Sequence, residues 1–146
     1  MSETAVSSYE HRKVSFVQAF SLFFKNYANF KGRSARGAYW WWYLWSLLIG
    51  FALGIADAFV FGIDSDTQVF GVVFSLATLI PSLALAVRRL HDVGRSGWWL
   101  LLILTIIGIL VILFWNIQPA DEGTNKYGDD VEAGRDPVGP TAQVFE

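Results

Sequence analysis

Three apolar blocks divide this chain. Residues 39–62, 69–87 and 98–115 carry almost no charge, and most charged residues fall in the gaps and tails between and around them. A helix needs about 20 apolar residues to cross a hydrocarbon core of about 30 Å. The pattern therefore predicts an all-α integral membrane protein with three transmembrane helices over those ranges, inside a domain spanning 31–117. The first block is long enough to cross with tilt, and the third is short for a crossing. Ahead of them, 14–30 has helical periodicity. Phe16, Val17, Phe20, Phe23, Phe24 and Tyr27 fall on one face, with Ser15, Gln18, Lys25 and Asn29 opposite. Ser15 and Gln18 have capping-box spacing. The segment is too polar to span, and it reads as an amphipathic helix lying in the membrane interface rather than packed on the spans. Residues 1–13 read as a mobile N-terminus, and 118–146, rich in Gly, Pro and Asp, as a loosely ordered acidic tail.

Composition agrees with this partition. The 146 residues are 53% hydrophobic and only 16% charged, against about 25% charged in a typical soluble domain. There is no cysteine, which excludes disulfides and thiolate chemistry. A net charge of −2, with the basic clusters beside apolar blocks at a membrane surface, argues against nucleic-acid binding. All seven tryptophans sit in or at the blocks. Trp40, Trp41, Trp98, Trp99 and Trp115 read as interface anchors, because an indole satisfies both its apolar body and its N–H group at headgroup level.

Charge also sets an orientation. Arg12, Lys13, Lys25, Lys31, Arg33 and Arg36 precede the first block. The connection 63–68 has Asp64 and Asp66 but no cation, and the second connection carries Arg88, Arg89 and Arg95. The positive-inside rule places the N-terminus and the second connection in the cytoplasm. Three crossings would then leave the C-terminus outside. The first block starts late and is longer than a signal-peptide core, so it reads as an uncleaved anchor.

Within the blocks a few residues stand out. Gly50, Gly54, Ala58 and Gly62 recur every four residues, a smooth stripe where another helix approaches closely. Packing inside the chain is the default partner, with a second copy the alternative. Asp57 lies near the outer end of its block and reads as a carboxylate at the water interface rather than part of an ion path. Pro81 removes one backbone hydrogen bond and invites a kink, with Ser82 placed to help satisfy the freed carbonyls.

Candidate chemistry gathers on one face. Gly32-Arg33-Ser34 is echoed by Gly94-Arg95-Ser96, and Ser34 and Ser96 stand where each would cap the helix that follows. Together with Arg36, Arg88, Arg89, His91 and Asp92 they form a set suited to an anionic lipid or a partner, since guanidinium forks match phosphate oxygens. The competing reading is that these arginines only fix topology. Asp92 is expected to neutralise one arginine, leaving the others to recruit an anion. His91 and Asp92 are adjacent, and adjacent helical residues do not face each other, so they make no catalytic pair. No nucleophile, metal set or cofactor motif is evident, so neither catalysis, metal nor cofactor is expected.

The runs Asn26-Tyr27-Ala28-Asn29-Phe30-Lys31-Gly32-Arg33-Ser34-Ala35-Arg36-Gly37-Ala38-Tyr39-Trp40-Trp41 and Arg88-Arg89-Leu90-His91-Asp92-Val93-Gly94-Arg95-Ser96-Gly97-Trp98-Trp99 resemble the bacterial inner-membrane proteins grouped as domain of unknown function 805. Gly123-Thr124-Asn125-Lys126-Tyr127-Gly128 is similar to that group's Asn-x-Tyr-Gly signature. Ala38, Val93 and Asp129-Asp130 depart from its pattern, which often has Glu, Thr and Pro-Asp-Pro there. The resemblance implies a bacterial inner membrane and no particular activity. The function expected is a non-enzymatic accessory or scaffold subunit of a membrane complex. Its partners would be the bilayer, anionic phospholipid, and another membrane protein or a second copy. A transporter or channel component ranks second, and an enzyme acting on lipid or phosphate substrates third.

Overall fold

The structure, a computed structural model, describes residues 14–121 and 123–129. The expectations for residues 1–13 and for the tail beyond 129 lie outside the described residues. The fold is all-helical: α1 (Phe16–Lys25), α2 (Arg36–Phe61), α3 (Val69–Asp92), a 3-10 helix (Gly97–Leu104) and α4 (Ile106–Ile117).

The capping box at the start of α1 forms as its spacing predicts. Gln18 N donates to Ser15 Oγ at 3.2 Å, and Ser15 N donates to Gln18 Oε1 at 3.0 Å. The apolar face of α1, however, is packed on α2. The Phe16 ring stacks on Trp45, whose Nε1 donates to the Phe16 carbonyl at 2.7 Å, and Phe23 stacks on Trp42. Ala19 and Phe23 are buried, while Val17, Phe20 and Phe24 stay exposed along the flank. The tryptophans at the head of α2 supply flat partners that a helix in a free interface would lack.

Two helices are long and apolar enough to cross a membrane, α2 and α3. At about 1.5 Å per residue they reach roughly 39 and 36 Å. The connection between them is fixed by Asp57. Its carboxylate is buried rather than at a water interface, and it accepts from Phe70 N at 3.0 Å and Gly71 N at 3.1 Å. Gln68, the residue at the α3 N-cap, makes no capping bond with its side chain. Asp57 thus caps α3 from the neighbouring helix and places negative charge at its positive end.

Pro81 lies inside α3 and is buried. The carbonyl it leaves without a donor, four residues earlier, belongs to Ala77. That carbonyl accepts from the Tyr27 hydroxyl, on the segment after α1. Ser82 was the expected helper, but the donor comes from a distant part of the chain.

The third apolar block does not form one continuous helix. It breaks at Thr105, whose Oγ1 donates to the Leu102 carbonyl at 2.9 Å and accepts from Gly108 N at 3.0 Å. Beyond the break, α4 folds back along the 3-10 helix. Trp99 and Trp115, expected to open and close a span, have ring centroids 5.7 Å apart. Gly108 permits the fold, since a Cβ there would collide with the Leu102 carbonyl. The hairpin lies against the C-terminal half of α3, with Gly97 close to Val87. Its tip carries Leu104, Ile106 and Ile107, all more than three-quarters exposed.

The glycine stripe is also placed differently from the default expectation. Gly50 and Gly54 have open space where a Cβ would stand, so no helix among the described residues covers them. Leu47, Phe51 and Ile55 are exposed on the same helix.

Candidate functional site

The C-terminal end of α3 meets the start of α2, the end of α4 and the tail in a buried ionic cluster. Asp92 is its centre. Oδ1 accepts from Arg33 Nε at 2.9 Å and Oδ2 from Arg89 Nη1 at 2.6 Å, with all three side chains buried. The expectation that Asp92 neutralises one arginine is therefore too small by one. A carboxylate has two oxygens and several lone-pair sites, so it can serve two guanidinium forks at once.

Main-chain carbonyls occupy the remaining guanidinium donors. Arg33 donates to the carbonyls of Gly123 at 2.6 Å and Asp121 at 2.7 Å. Arg89 donates to those of Asn116, at 3.1 Å, and Gln118. Arg36 donates to the Ile117 carbonyl at 3.3 Å. Carbonyls at the end of a helix have no intrahelical donors, so the end of α4 offers a set of acceptors to these cations. Asn116, buried beside them, donates to the Tyr39 hydroxyl at 3.0 Å, and Trp40 Nε1 donates to the Asn116 carbonyl at 3.3 Å.

The first part of the expected loose tail is folded into this cluster. Asp121 N donates to the Asp92 carbonyl at 2.8 Å, and Asn125 Nδ2 to the His91 carbonyl at 2.9 Å. The Tyr127 ring stacks on His91 with centroids 3.9 Å apart, and His91 Nδ1 lies 3.0 Å from the Gly32 carbonyl. The segment straps the C-terminus of α3 and meets its orphan carbonyls. Gly32 and Gly94, the glycines of the two echoed motifs, have φ of 83° and 69°. Those left-handed values suit glycine, and they turn the chain into the cluster from both sides.

This geometry places the tail beside Arg33 and the second connection. The described tail residues thus lie at the same end of the helices as Arg33, where a third crossing helix would have carried them to the other end. The reason is the hairpin: α4 returns to the end at which the block began.

The predicted site residues thus divide. Arg33, Arg89, His91 and Asp92 converge in the cluster and hold the protein's own segments. Ser96 caps the 3-10 helix by accepting from Trp98 N at 3.4 Å. Ser34 caps nothing with its side chain, but its N–H donates to the Arg88 carbonyl at 3.0 Å. Arg95 is exposed, with its guanidinium 4.8 Å from the Trp115 ring centre. Trp40, Trp41, Trp98 and Trp99 are exposed near the same end.

Arg88 stands apart from the others. Its residue is only 6% exposed, and Nε is buried without a hydrogen-bond partner. It lines a cavity of about 320 Å³ between α1, the 26–35 segment and α3. Lys31, Ser34, Ala38, Phe23 and Leu85 contribute to the same wall.

Sequence reasoning missed Tyr27, Asn116 and Tyr127 as structural partners. Asn116 carried a signal, a lone amide at the end of an apolar run. Tyr127 carried one only through the tail signature.

The chain belongs to the family described as "Protein of unknown function (DUF805)", whose model matches residues 27–129. It is 38% identical to "Inner membrane protein YhaI" of Escherichia coli K12 over 111 residues, covering 75% of this chain and 92% of that one. It is 34% identical to "Inner membrane protein YhaH" of the same organism, covering 73% and 89%. A third relative, "Uncharacterized protein YiiR", is 29% identical over 133 residues, covering 71% of this chain and 86% of its own. No solved structure matches the chain. The family, the named relatives and the two long apolar helices identify a membrane protein related to bacterial inner-membrane proteins.

Proposed function

We propose that this chain is a non-enzymatic inner-membrane protein acting as an accessory or scaffold subunit of a membrane complex. In this reading α2 and α3 cross the bilayer, and the 3-10 helix with α4 dips in from the cytoplasmic side and returns. The hairpin is about 18 Å deep, short of the roughly 30 Å core. Re-entrant backbone is tolerated where a side chain meets its freed polar groups, as Thr105 meets the Leu102 carbonyl and Gly108 N at the turn. Both the segment before α2 and the tail strap then face the cytoplasm, in keeping with the positive-inside rule. The exposed edge of α1, with Phe20 and Phe24, lies in that interface.

One observation carries the scaffold reading: the polar side chains that could have done chemistry hold the chain's own helices. His91 and Asp92 are engaged by Gly32, Tyr127, Arg33 and Arg89. Asp57, whose other reading was part of an ion path, belongs to a helix cap, and the carbonyl freed by Pro81 is met by Tyr27. What faces outward is the apolar flank of α2, with Gly50 and Gly54 in open space, and the basic rim of the cluster. A flank of that kind suits close approach of a helix from another membrane protein or a second copy.

Gly54→Leu tests this directly. It should leave the thermal stability of the isolated chain unchanged, because none of the described residues comes within 4 Å of a Cβ at that position. Recovery of cross-linked partners, or of a cross-linked second copy, from native membranes should fall. Unchanged recovery would remove the scaffold reading from this flank.

A further inference from the structure

We infer that the cavity around Arg88 is a binding site for a phosphate group. The inference rests on the scaffold reading with its outward basic rim and on the sequence expectation that this face contacts anionic lipid, and it narrows that contact to one place. Burying a guanidinium without an acceptor is costly, because the desolvated donor recovers nothing from the protein. Every other buried arginine here meets a carboxylate or carbonyls, as Arg33 and Arg89 do. Arg88 alone among the described buried arginines has an Nε with no partner, and it stands at the wall of an open space.

The wall has the chemistry of an anion site. Among the described residues no aspartate or glutamate lines it, while Arg88, Lys31 and Ser34 do. Three kinds of donor, a guanidinium, an ammonium and a hydroxyl, match the several oxygens of a phosphate. Leu22, Phe23 and Leu85 make the apolar part of the wall, where the first carbons of a lipid ester would fit. At about 320 Å³ the space exceeds by far the ~30 Å³ share of one water. Its position, beside the last turn of α3, is headgroup depth if α3 crosses the bilayer. A phospholipid headgroup and free phosphate share this chemistry.

The test is native mass spectrometry and thermal unfolding of the full chain. One arm uses phosphate-free maltoside detergent micelles doped with phosphatidylglycerol, and the other uses the same micelles without lipid and with added inorganic phosphate. Arg88→Met removes the fork and keeps bulk. Ala38→Glu leaves Arg88 in place and puts a carboxylate on the same wall. Lys25→Gln removes an exposed cation outside the cavity. Retention of phosphatidylglycerol should fall about tenfold or more in Arg88→Met and Ala38→Glu, and stay unchanged in Lys25→Gln. If the occupant is free phosphate, stabilisation appears instead in the second arm and is lost in the same two variants. Equal retention and stabilisation in all four proteins would overturn the site and leave Arg88 an unpaired buried cation. A loss of similar size in Lys25→Gln would also overturn it, while keeping the broader reading of a basic face on anionic lipid. No preference for phosphate by the wild type in either arm would overturn both the site and that contact, and the partner test with Gly54→Leu would still stand by itself.

Discussion

Arg33 and Asp92 meet at 2.9 Å across 59 positions of sequence, and both side chains are fully buried. The same carboxylate holds Arg89 at 2.6 Å. One residue therefore ties the segment before α2 to the end of α3, while Arg33 and Arg89 extend the tie to the tail and the end of α4. Removing one partner of a buried pair leaves uncompensated charge, which costs about 3–5 kcal/mol.

Asp92→Asn is accordingly expected to lower stability by roughly that amount, because two arginines lose their counter-charge together. Denaturant unfolding in detergent measures it. Were the arginines only topology signals, the substitution would have little effect on folding.

Tyr27 and Pro81 should be energetically coupled. Tyr27→Phe strips the Ala77 carbonyl, on an exposed stretch of α3, of its donor, and an acceptor left unmet away from water, as on a bilayer-crossing helix, costs about 1–3 kcal/mol. In a Pro81→Ala background the helix supplies its own N–H to that carbonyl, so the same Tyr27→Phe change should cost much less. A double-mutant cycle reads the coupling, and additive effects would mean that the two residues act independently.

Gly108 decides between a hairpin and a continuous helix. In an uninterrupted span, Gly108→Ala would stabilise by roughly 0.5–1 kcal/mol through helix propensity. In the hairpin the added Cβ meets the Leu102 carbonyl, so the melting temperature should drop. Thermal unfolding of the two proteins in the same detergent gives the sign.

Much of the helical frame was legible because it rests on local pattern. The 3.6-residue period and the Ser15–Gln18 box placed α1, and the first two apolar blocks placed α2 and α3. The third block misled because length and hydropathy do not register a fold-back. Thr105 and Gly108 were its signs, two small residues in an otherwise apolar run whose meaning depends on a contact with Leu102. The basic face was legible as a set of residues, but its inward use was not. Asp92 serves two arginines, and most other acceptors are main-chain carbonyls of 116–128, which no side-chain motif announces. Asp57 was visible as an unusual carboxylate, yet its role required knowing that α2 ends beside the start of α3.

The central claim is that the third block returns to its starting face, so that Ser96 and Lys126 share one side of the membrane. The chain has no cysteine, so single cysteines report without background. Asp66→Cys, Ser96→Cys and Lys126→Cys would each be treated with an impermeant thiol reagent in intact spheroplasts and again after permeabilisation. The expected result is labelling of Asp66→Cys in intact spheroplasts, with Ser96→Cys and Lys126→Cys labelled only after permeabilisation. Labelling of Lys126→Cys together with Asp66→Cys in intact spheroplasts, while Ser96→Cys stays protected, would mean three crossings and contradict the account.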